Sequence, residues 1–172
     1  MPAGRTLEQL LADCQHSAVH LEMRDAYTLN DPKFDAWKAG HRIDLDDRSS
    51  WWRPWLQNVV NAVARGVEVR RARIVSEPVS SYIRYEYDIT VPNLRAGEQV
   101  RWLPRRRATD LALPGNDFWL FDGTTLLIHH FSGEGDKVDS EIITDQPVTK
   151  LCAEAFEAVW QRAVPHEDYR PV

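Results

Sequence analysis

The sequence predicts a single α/β domain in which helices flank a mixed, mostly parallel sheet. Its 172 residues are 43% hydrophobic and 27% charged, which is typical of one globular domain that buries a core. Segments with the two-residue period of strands alternate with segments whose apolar residues recur at helical spacing. In the middle of the chain the order is helix, strand, helix, strand with short connections, which is typical of parallel strands joined by right-handed crossovers.

The first 50 residues predict a helix, a strand, a short helix and a loop. Thr6 and Gln9 have the spacing of a capping box in front of an apolar stripe, so a helix starts here. Residues 17–27 alternate apolar and polar side chains and predict a half-buried strand. Its polar face carries His20, Glu22 and Arg24. Residues 31–40 predict a short helix between Pro and Gly, and residues 41–50 a loop.

The central elements follow the same rules. A long helix opens at Ser50, holds Pro54 in its first turn and ends at Gly66. A strand, a helix and a second strand are then predicted over 67–75, 78–89 and 99–103.

The last third predicts a central hairpin followed by an edge strand and a helix. The two hairpin strands, 117–121 and 124–131, flank Asp122-Gly123, a strong turn signal. Residues 137–144 predict an edge strand, and 147–163 a helix whose buried stripe includes Val148 and Leu151. The polar tail, 164–172, is expected on the surface.

Several classes of protein are not supported. No apolar run approaches the ~20 residues that span a bilayer, and the N-terminus lacks the apolar region of a secretory signal, so we expect a cytoplasmic protein. Cys14 and Cys152 stand alone in apolar helical contexts and predict buried thiols, not a disulfide or a zinc site. No phosphate-binding glycine loop and no paired-histidine spacing occurs, so no cofactor and no metal are expected.

Arginine and tryptophan are the unusual components. Of 21 basic residues 17 are Arg. Residues 65–107 hold ten of these arginines and five acids, so this middle segment is positively charged. The whole chain has a net charge of −5, so the residues outside the segment carry −10. Four of the seven tryptophans lie on predicted core stripes. They are Trp55, Trp102, Trp119 and Trp160.

Two sets of residues are candidates for a site. If the protein is an enzyme, His20, Glu22, Arg24 and His129 offer a base, an acid and an anion clamp; the alternative is a solvated strand face. Partner contacts are expected from Arg101, Arg105, Arg106, Arg107, Trp51 and Trp52, with the loop 44–48, because Arg and Trp dominate interface hot spots. Neighbouring acids such as Glu68, Glu77, Glu86 and Asp88 could neutralise the arginines instead.

Four segments carry a resemblance that covers nearly the whole chain. Residues 17–27, 64–78, 81–86 and 113–122 are similar to an actinobacterial family, domain of unknown function 6879. The resemblance implies an origin in Streptomyces or a relative, and genes near helix-turn-helix regulators and their small partner proteins. The resemblance therefore implies that the protein functions in regulation.

Residues 51–163 resemble one half of a phospholipase-D-like domain, with 1–50 as an N-terminal addition and 164–172 as a tail. That family carries H-x-K-x-x-x-x-D on the first hairpin strand. With Asp122 on the motif's Asp, Gly115 falls on the His and Asp117 on the Lys. The nucleophile and the phosphate-binding cation are both missing, so the resemblance implies a non-catalytic copy, and by analogy a homodimer.

These observations favour a non-enzymatic regulatory or protein-interaction module whose partner is a helix-turn-helix regulator or its small associated protein. The alternatives are a phosphodiesterase, nuclease or toxin with an unrecognised site, and a protein that binds nucleic acid directly through its basic middle.

Overall fold

The computed structural model describes residues 4–27 and 30–172, and in them seven strands and seven α-helices follow one another. The strands are β1 (Ser17–Glu22), β2 (Glu68–Val75), β3 (Gln99–Pro104), β4 (Phe118–Phe121), β5 (Thr125–Phe131), β6 (Lys137–Ile143) and β7 (Val164–Pro165). The helices are α1 (Leu7–Asp13), α2 (Pro32–Lys38), α3 (Arg48–Trp51), α4 (Pro54–Ala64), α5 (Ser81–Asp88), α6 (Val91–Arg95) and α7 (Gln146–Arg162). A 3-10 turn, Arg105–Arg107, follows β3.

The strands form one mixed sheet in the order β6-β5-β4-β1-β2-β3-β7. Only the pairs β1–β2 and β2–β3 are parallel, and the other four pairs are antiparallel. The expectation of a mostly parallel sheet is therefore wrong. Helical crossovers connect β1 to β2 and β2 to β3, whereas β4, β5 and β6 are joined by short connections that make them antiparallel neighbours.

The hairpin and the edge strand are confirmed. Strand β4 lies inside the sheet between β1 and β5, and β6 forms an exposed edge. Asp122 and Gly123 have φ values of 50° and 67°, the left-handed conformations that a tight two-residue hairpin turn requires.

Helices cover both faces of the sheet. Helix α7 packs Cys152, Phe156 and Val159 against one face, where Leu21 and Ile74 are fully buried. The opposite face is covered by α1, α4 and α5, whose side chains pack around Trp119 and Trp102. Cys14 and Cys152 are both free and buried, as expected. In the described chain, no helix is long and apolar enough to cross a membrane.

The long helix predicted from Ser50 to Gly66 is interrupted, so that prediction is wrong at its start. Helix α3 ends at Trp51 and α4 begins at Pro54, with Arg53 extended at φ −143° and ψ 156°. Proline disfavours helical backbone at the residue before it and cannot donate the amide bond that a continuous helix needs. Pro54 is therefore the first residue of a new helix.

The C-terminal segment is not a surface tail. Strand β7 pairs with β3, and His166 and Tyr169 behind it are 6% and 4% exposed. The Tyr169 ring stacks on Trp102 with their centroids 5.6 Å apart. In α7 the predicted stripe is too broad, since Val148 and Leu151 are 37% and 51% exposed.

Candidate functional site

The predicted polar face of β1 is buried. His20 and Glu22 are 9% and 8% exposed, and Arg24 lies beyond the end of the strand. The register of the parallel pair sets His20 beside Arg71 and Glu22 beside Arg73 of β2. The interpretation of this row as a solvated strand face is therefore wrong for His20 and Glu22, because His20 stacks on Trp119 and Glu22 pairs with Arg71 and Arg73.

These side chains form a buried ion-pair network of Glu22, Arg71, Arg73, Glu86 and Glu98. Arg71 is 3.3 Å from Glu22 and 2.7 Å from Glu98. Arg73 is 2.9 Å from Glu22 and 2.7 Å from Glu86. Glutamates surround both guanidinium groups, which raises the pKa of each despite its burial. The network joins β1 and β2 to the helical segment after β2, and it pairs two buried guanidinium groups with three carboxylates.

His20 is a neutral ring within this setting. It stacks on Trp119 with centroids 4.2 Å apart, and its Nδ1 lies 3.7 Å from Glu22. Burial, together with Arg71 and Arg73, holds the His20 pKa well below its usual range. Near neutral pH the ring is therefore not an imidazolium, the form in which histidine acts as a general acid.

The other two candidate catalytic residues lie elsewhere. The Arg24 guanidinium lies over the Phe131 ring, 4.7 Å from its centroid, and His129 Nδ1 is 3.0 Å from Ser140 Oγ. His129 is on β5, which β4 separates from β1, so its Cα is about 10 Å or more from that of His20. The predicted catalytic set does not converge on one concave surface.

The two aspartates at the phospholipase-D-like motif positions hold loops in place. Asp122 accepts backbone N–H bonds from Gln15, His16 and Ser17 at 2.7–3.0 Å. Partial burial opposes ionisation of Asp122, but these donors outweigh it and lower its pKa to about 2.

Asp117 is buried and accepts bonds from the Met23 N–H and the Tyr27 hydroxyl. Burial raises its pKa to about 6, and nearby Glu22 acts in the same direction. This carboxyl fastens the chain after β1 to the start of β4.

The arginine-rich middle is largely neutralised inside the molecule. Arg70 bonds Glu157 at 2.7 Å, and Arg101 donates to the Trp160 carbonyl at 3.0 Å while lying over that ring. Within the described residues, only Arg84, Arg106 and Arg107 of the ten lack a side-chain hydrogen bond. The ten arginines of residues 65–107 therefore leave few free cations on the surface.

Arg105 anchors the 3-10 turn that it begins. It donates to Ser76 Oγ at 3.0 Å, to the Met23 and Ile74 carbonyls, and lies 3.4 Å from Asp25. Arg106 and Arg107 are exposed on this turn. We call Arg105–Arg107 the arginine turn.

Trp51 and Trp52 lie near the N-terminal end of β3, whereas the arginine turn follows its C-terminal end. Arg95 of α6, which leads into β3, lies over the Trp51 ring, and the arginine turn follows the end of β3. A six-residue strand spans about 20 Å, so the predicted partner-binding residues form two separate surfaces.

Trp51 lines a large cleft of about 790 Å³ between α2, the loop 39–47 with α3, and the α5–α6 junction. We call it the aromatic cleft. Its walls are mostly apolar and aromatic, and it also exposes Arg53. The aromatic and charged lining residues are Lys33, Trp37, His41, Arg42, Trp51, Arg53, Tyr85, Tyr87, Asp88 and His166.

Arg53 connects the cleft to the ion-pair network. Its Nη2 donates to Asn93 Oδ1 at 2.8 Å, and Asn93 donates to Glu98 at 2.5 Å. Burial and the nearby charge of Arg71 lower the Arg53 pKa. Sequence reasoning missed this residue because its role depends on the interruption of the helix at Pro54.

Comparison with known proteins gives a family and a fold. The profile of a family described as a domain of unknown function, DUF6879, matches residues 5–171. No curated protein matches the sequence.

Two solved structures are similar to the chain at low identity. The phospholipase D family member Nuc of Salmonella typhimurium has a TM-score of 0.50 and 14% identity, over 95% of this chain and 88% of Nuc. TrmBL2, an archaeal chromatin protein described as binding DNA in a novel mode, has a TM-score of 0.50 and 12% identity over 91% of this chain. The chain spans about half of TrmBL2, at 48% of its length. These similarities show a phospholipase-D-like fold.

Proposed function

The chain belongs to the family of domain of unknown function 6879, and from this premise we propose that it is a non-enzymatic regulatory module that binds an acidic surface of a protein partner through the arginine turn. The resemblance to the family implies the partner class, a helix-turn-helix regulator or its small associated protein.

The positions that would carry phospholipase-D chemistry support a non-enzymatic function. Gly115 has no side chain to attack phosphorus, and Asp117 is a buried acid where a cation would hold phosphate. The alternative catalytic residues are not arranged as an active site either. His20 and Glu22 are buried, and His129 bonds Ser140 of the edge strand β6.

The observation that carries the proposal is the construction of the arginine turn. Arg105 is fixed by bonds to the ends of β1 and β2, and the two arginines after it are exposed. A rigid backbone reduces the entropy lost when these side chains are immobilised, and guanidinium groups bind carboxylates in a bidentate manner.

Direct binding of nucleic acid has less support. Phosphate contacts require free cations along one surface, whereas most arginines of the basic middle bond acids or carbonyls of the chain itself. DNA binding is described for TrmBL2, of which this chain matches only about half.

The test is binding of helix-turn-helix regulators from the genome that encodes this chain, measured by titration calorimetry. We expect the double variant Arg106→Ala/Arg107→Ala to bind at least about tenfold more weakly, a loss of about 1.4 kcal/mol, and the wild type to weaken as salt rises. Arg84→Ala, a change at an exposed arginine of α5, is the control and should bind as the wild type. Equal binding by the double variant, or no binding by the wild type, would contradict the proposal.

A further inference from the structure

A second site lies at the opposite end of the sheet from the arginine turn. We propose that the aromatic cleft binds a small anionic aromatic molecule, a planar ring that bears a carboxylate. Neither the family nor the proposed partner binding assigns any role to this cleft. Its volume of about 790 Å³ falls in the range of sites for small molecules, and its lining is mainly apolar with a few polar groups.

Arg53 is the group that would hold the carboxylate. It lines the cleft, and in the described chain its guanidinium has one hydrogen-bond partner, the Asn93 amide, and no carboxylate within 4.0 Å. By contrast, Arg71 and Arg73 each contact two glutamates. Glu98 reaches Arg53 only through Asn93. A partly buried guanidinium without an ion-pair partner is stabilised by an anion that enters beside it.

Trp51 supplies an aromatic wall beside Arg53. Its indole Nε1 is enclosed by the protein itself, so Trp51 presents ring surface and not its N–H to a ligand. The donors at this end of the cleft are therefore those of Arg53, and the complementary molecule presents acceptor atoms to them.

The remaining walls favour an anion with a ring. Lys33 and Arg42 add positive charge to the lining. Its single acid, Asp88, already accepts a bond from Trp37 Nε1 at 2.7 Å and lies 3.7 Å from Arg42. Trp37, Tyr85 and Tyr87 supply aromatic surface on which a planar ring can stack. An apolar ring with a carboxylate at the Arg53 end satisfies each of these groups.

The test uses three probes with the full chain: naphthalene-2-carboxylate, its neutral isostere naphthalene-2-carboxamide, and acetate. Binding is measured by calorimetry and by shifts of backbone amide signals in nuclear magnetic resonance spectra. We expect the naphthoate to bind at least about tenfold more tightly than the amide, acetate to show no saturable binding, and the shifts to map to the cleft. No saturable binding of naphthoate below about 10 mM would overturn the proposal.

Variants separate recognition of the carboxylate from recognition of the ring. Arg53→Gln should abolish the difference between naphthoate and its amide while leaving the affinity for the amide unchanged. Trp51→Ala, which removes an aromatic wall of the cleft, should weaken naphthoate and its amide alike. Arg84→Gln serves as the control for a charge change outside the cleft. The amide signals away from the cleft report whether each variant is folded. A preference for the acid that survives in Arg53→Gln, or shifts that map to the arginine turn, would overturn the proposal.

Discussion

Glu98 shows how burial determines what a charged residue does. Its side chain is 0% exposed, and it bonds Arg71 on one side and Asn93 on the other. Glu157 makes a similar 2.7 Å pair with Arg70, but its side chain is 49% exposed. Removing the charge of Glu98 weakens a short, buried, charge-assisted bond to Arg71, which then keeps only the longer contact with Glu22, whereas a surface pair is screened by water.

We therefore expect Glu98→Gln to lower the free energy of unfolding by about 1.5–3 kcal/mol. The matched change Glu157→Gln should lower it by less than about 1 kcal/mol. Urea unfolding followed by circular dichroism measures both. Equal effects of the two substitutions would show that the network does not stabilise the fold.

Asp117 makes stability depend on pH. Its pKa is raised to about 6 from an ordinary value of 3.8, so between these values the folded chain keeps a proton that the unfolded chain has released. Stability therefore falls as the pH rises through this window. Asp117→Asn should remove this pH dependence of stability. As the pH rises from about 4 to about 7, the free energy of unfolding of the variant should increase relative to that of the wild type by up to about 3 kcal/mol.

Asp122→Asn is the natural control, since the pKa of Asp122 is lowered to about 2 whereas that of Asp117 is raised. The Asp122 carboxylate stabilises the fold above the ordinary value of 3.8, and this contribution is lost as the pH falls toward 2. Urea midpoints for each variant and the wild type at several pH values measure both effects. A pH-independent difference between Asp117→Asn and the wild type would contradict the assignment.

At the scale of elements, the break at Pro54 creates the cleft wall. A continuous helix from Ser50 would keep Trp51 and Arg53 on a regular helical surface. Because the backbone at Arg53 is extended, α3 and α4 are separate, and both Trp51 and Arg53 line the cleft. One proline therefore decides the chemistry of a site that residue types alone do not reveal.

The C-terminal segment is a second element whose role depends on packing. Tyr169 stacks on Trp102 and donates to Glu77 at 2.9 Å, while the side chain of Val172 is 62% exposed. We expect Tyr169→Ala to cost about 3–5 kcal/mol of stability, and Val172→Ala to change it by less than about 0.5 kcal/mol. Thermal and urea unfolding compare them. A small effect of Tyr169→Ala would restore the interpretation of residues 164–172 as a surface tail.

At the scale of the whole molecule, the ends of β3 separate two surfaces. The arginine turn follows its C-terminal end, and the aromatic cleft lies beside α6 before its first residue. The partner binding that we propose at the arginine turn and the ligand binding that we propose in the aromatic cleft are therefore sterically compatible. The buried network, linked to the cleft by Arg53 and Asn93, lies between them.

The sequence by itself determined most of the secondary-structure elements and the α/β class of the fold, because capping residues, hydrophobic period and turn signals act over a few neighbouring positions. The capping box at Thr6, the turn at Asp122-Gly123 and the exposed edge strand β6 were all predictable in this way.

Only the tertiary structure decided which charges remain free. Arg71 and Arg106 are the same residue type in the same basic segment, yet one is enclosed by Glu22 and Glu98 and the other is exposed. Strand order had the same origin, since the antiparallel half of the sheet depends on where β4 docks beside β1. Burial and pairing arise from contacts between residues far apart in the chain, and no local pattern encodes them.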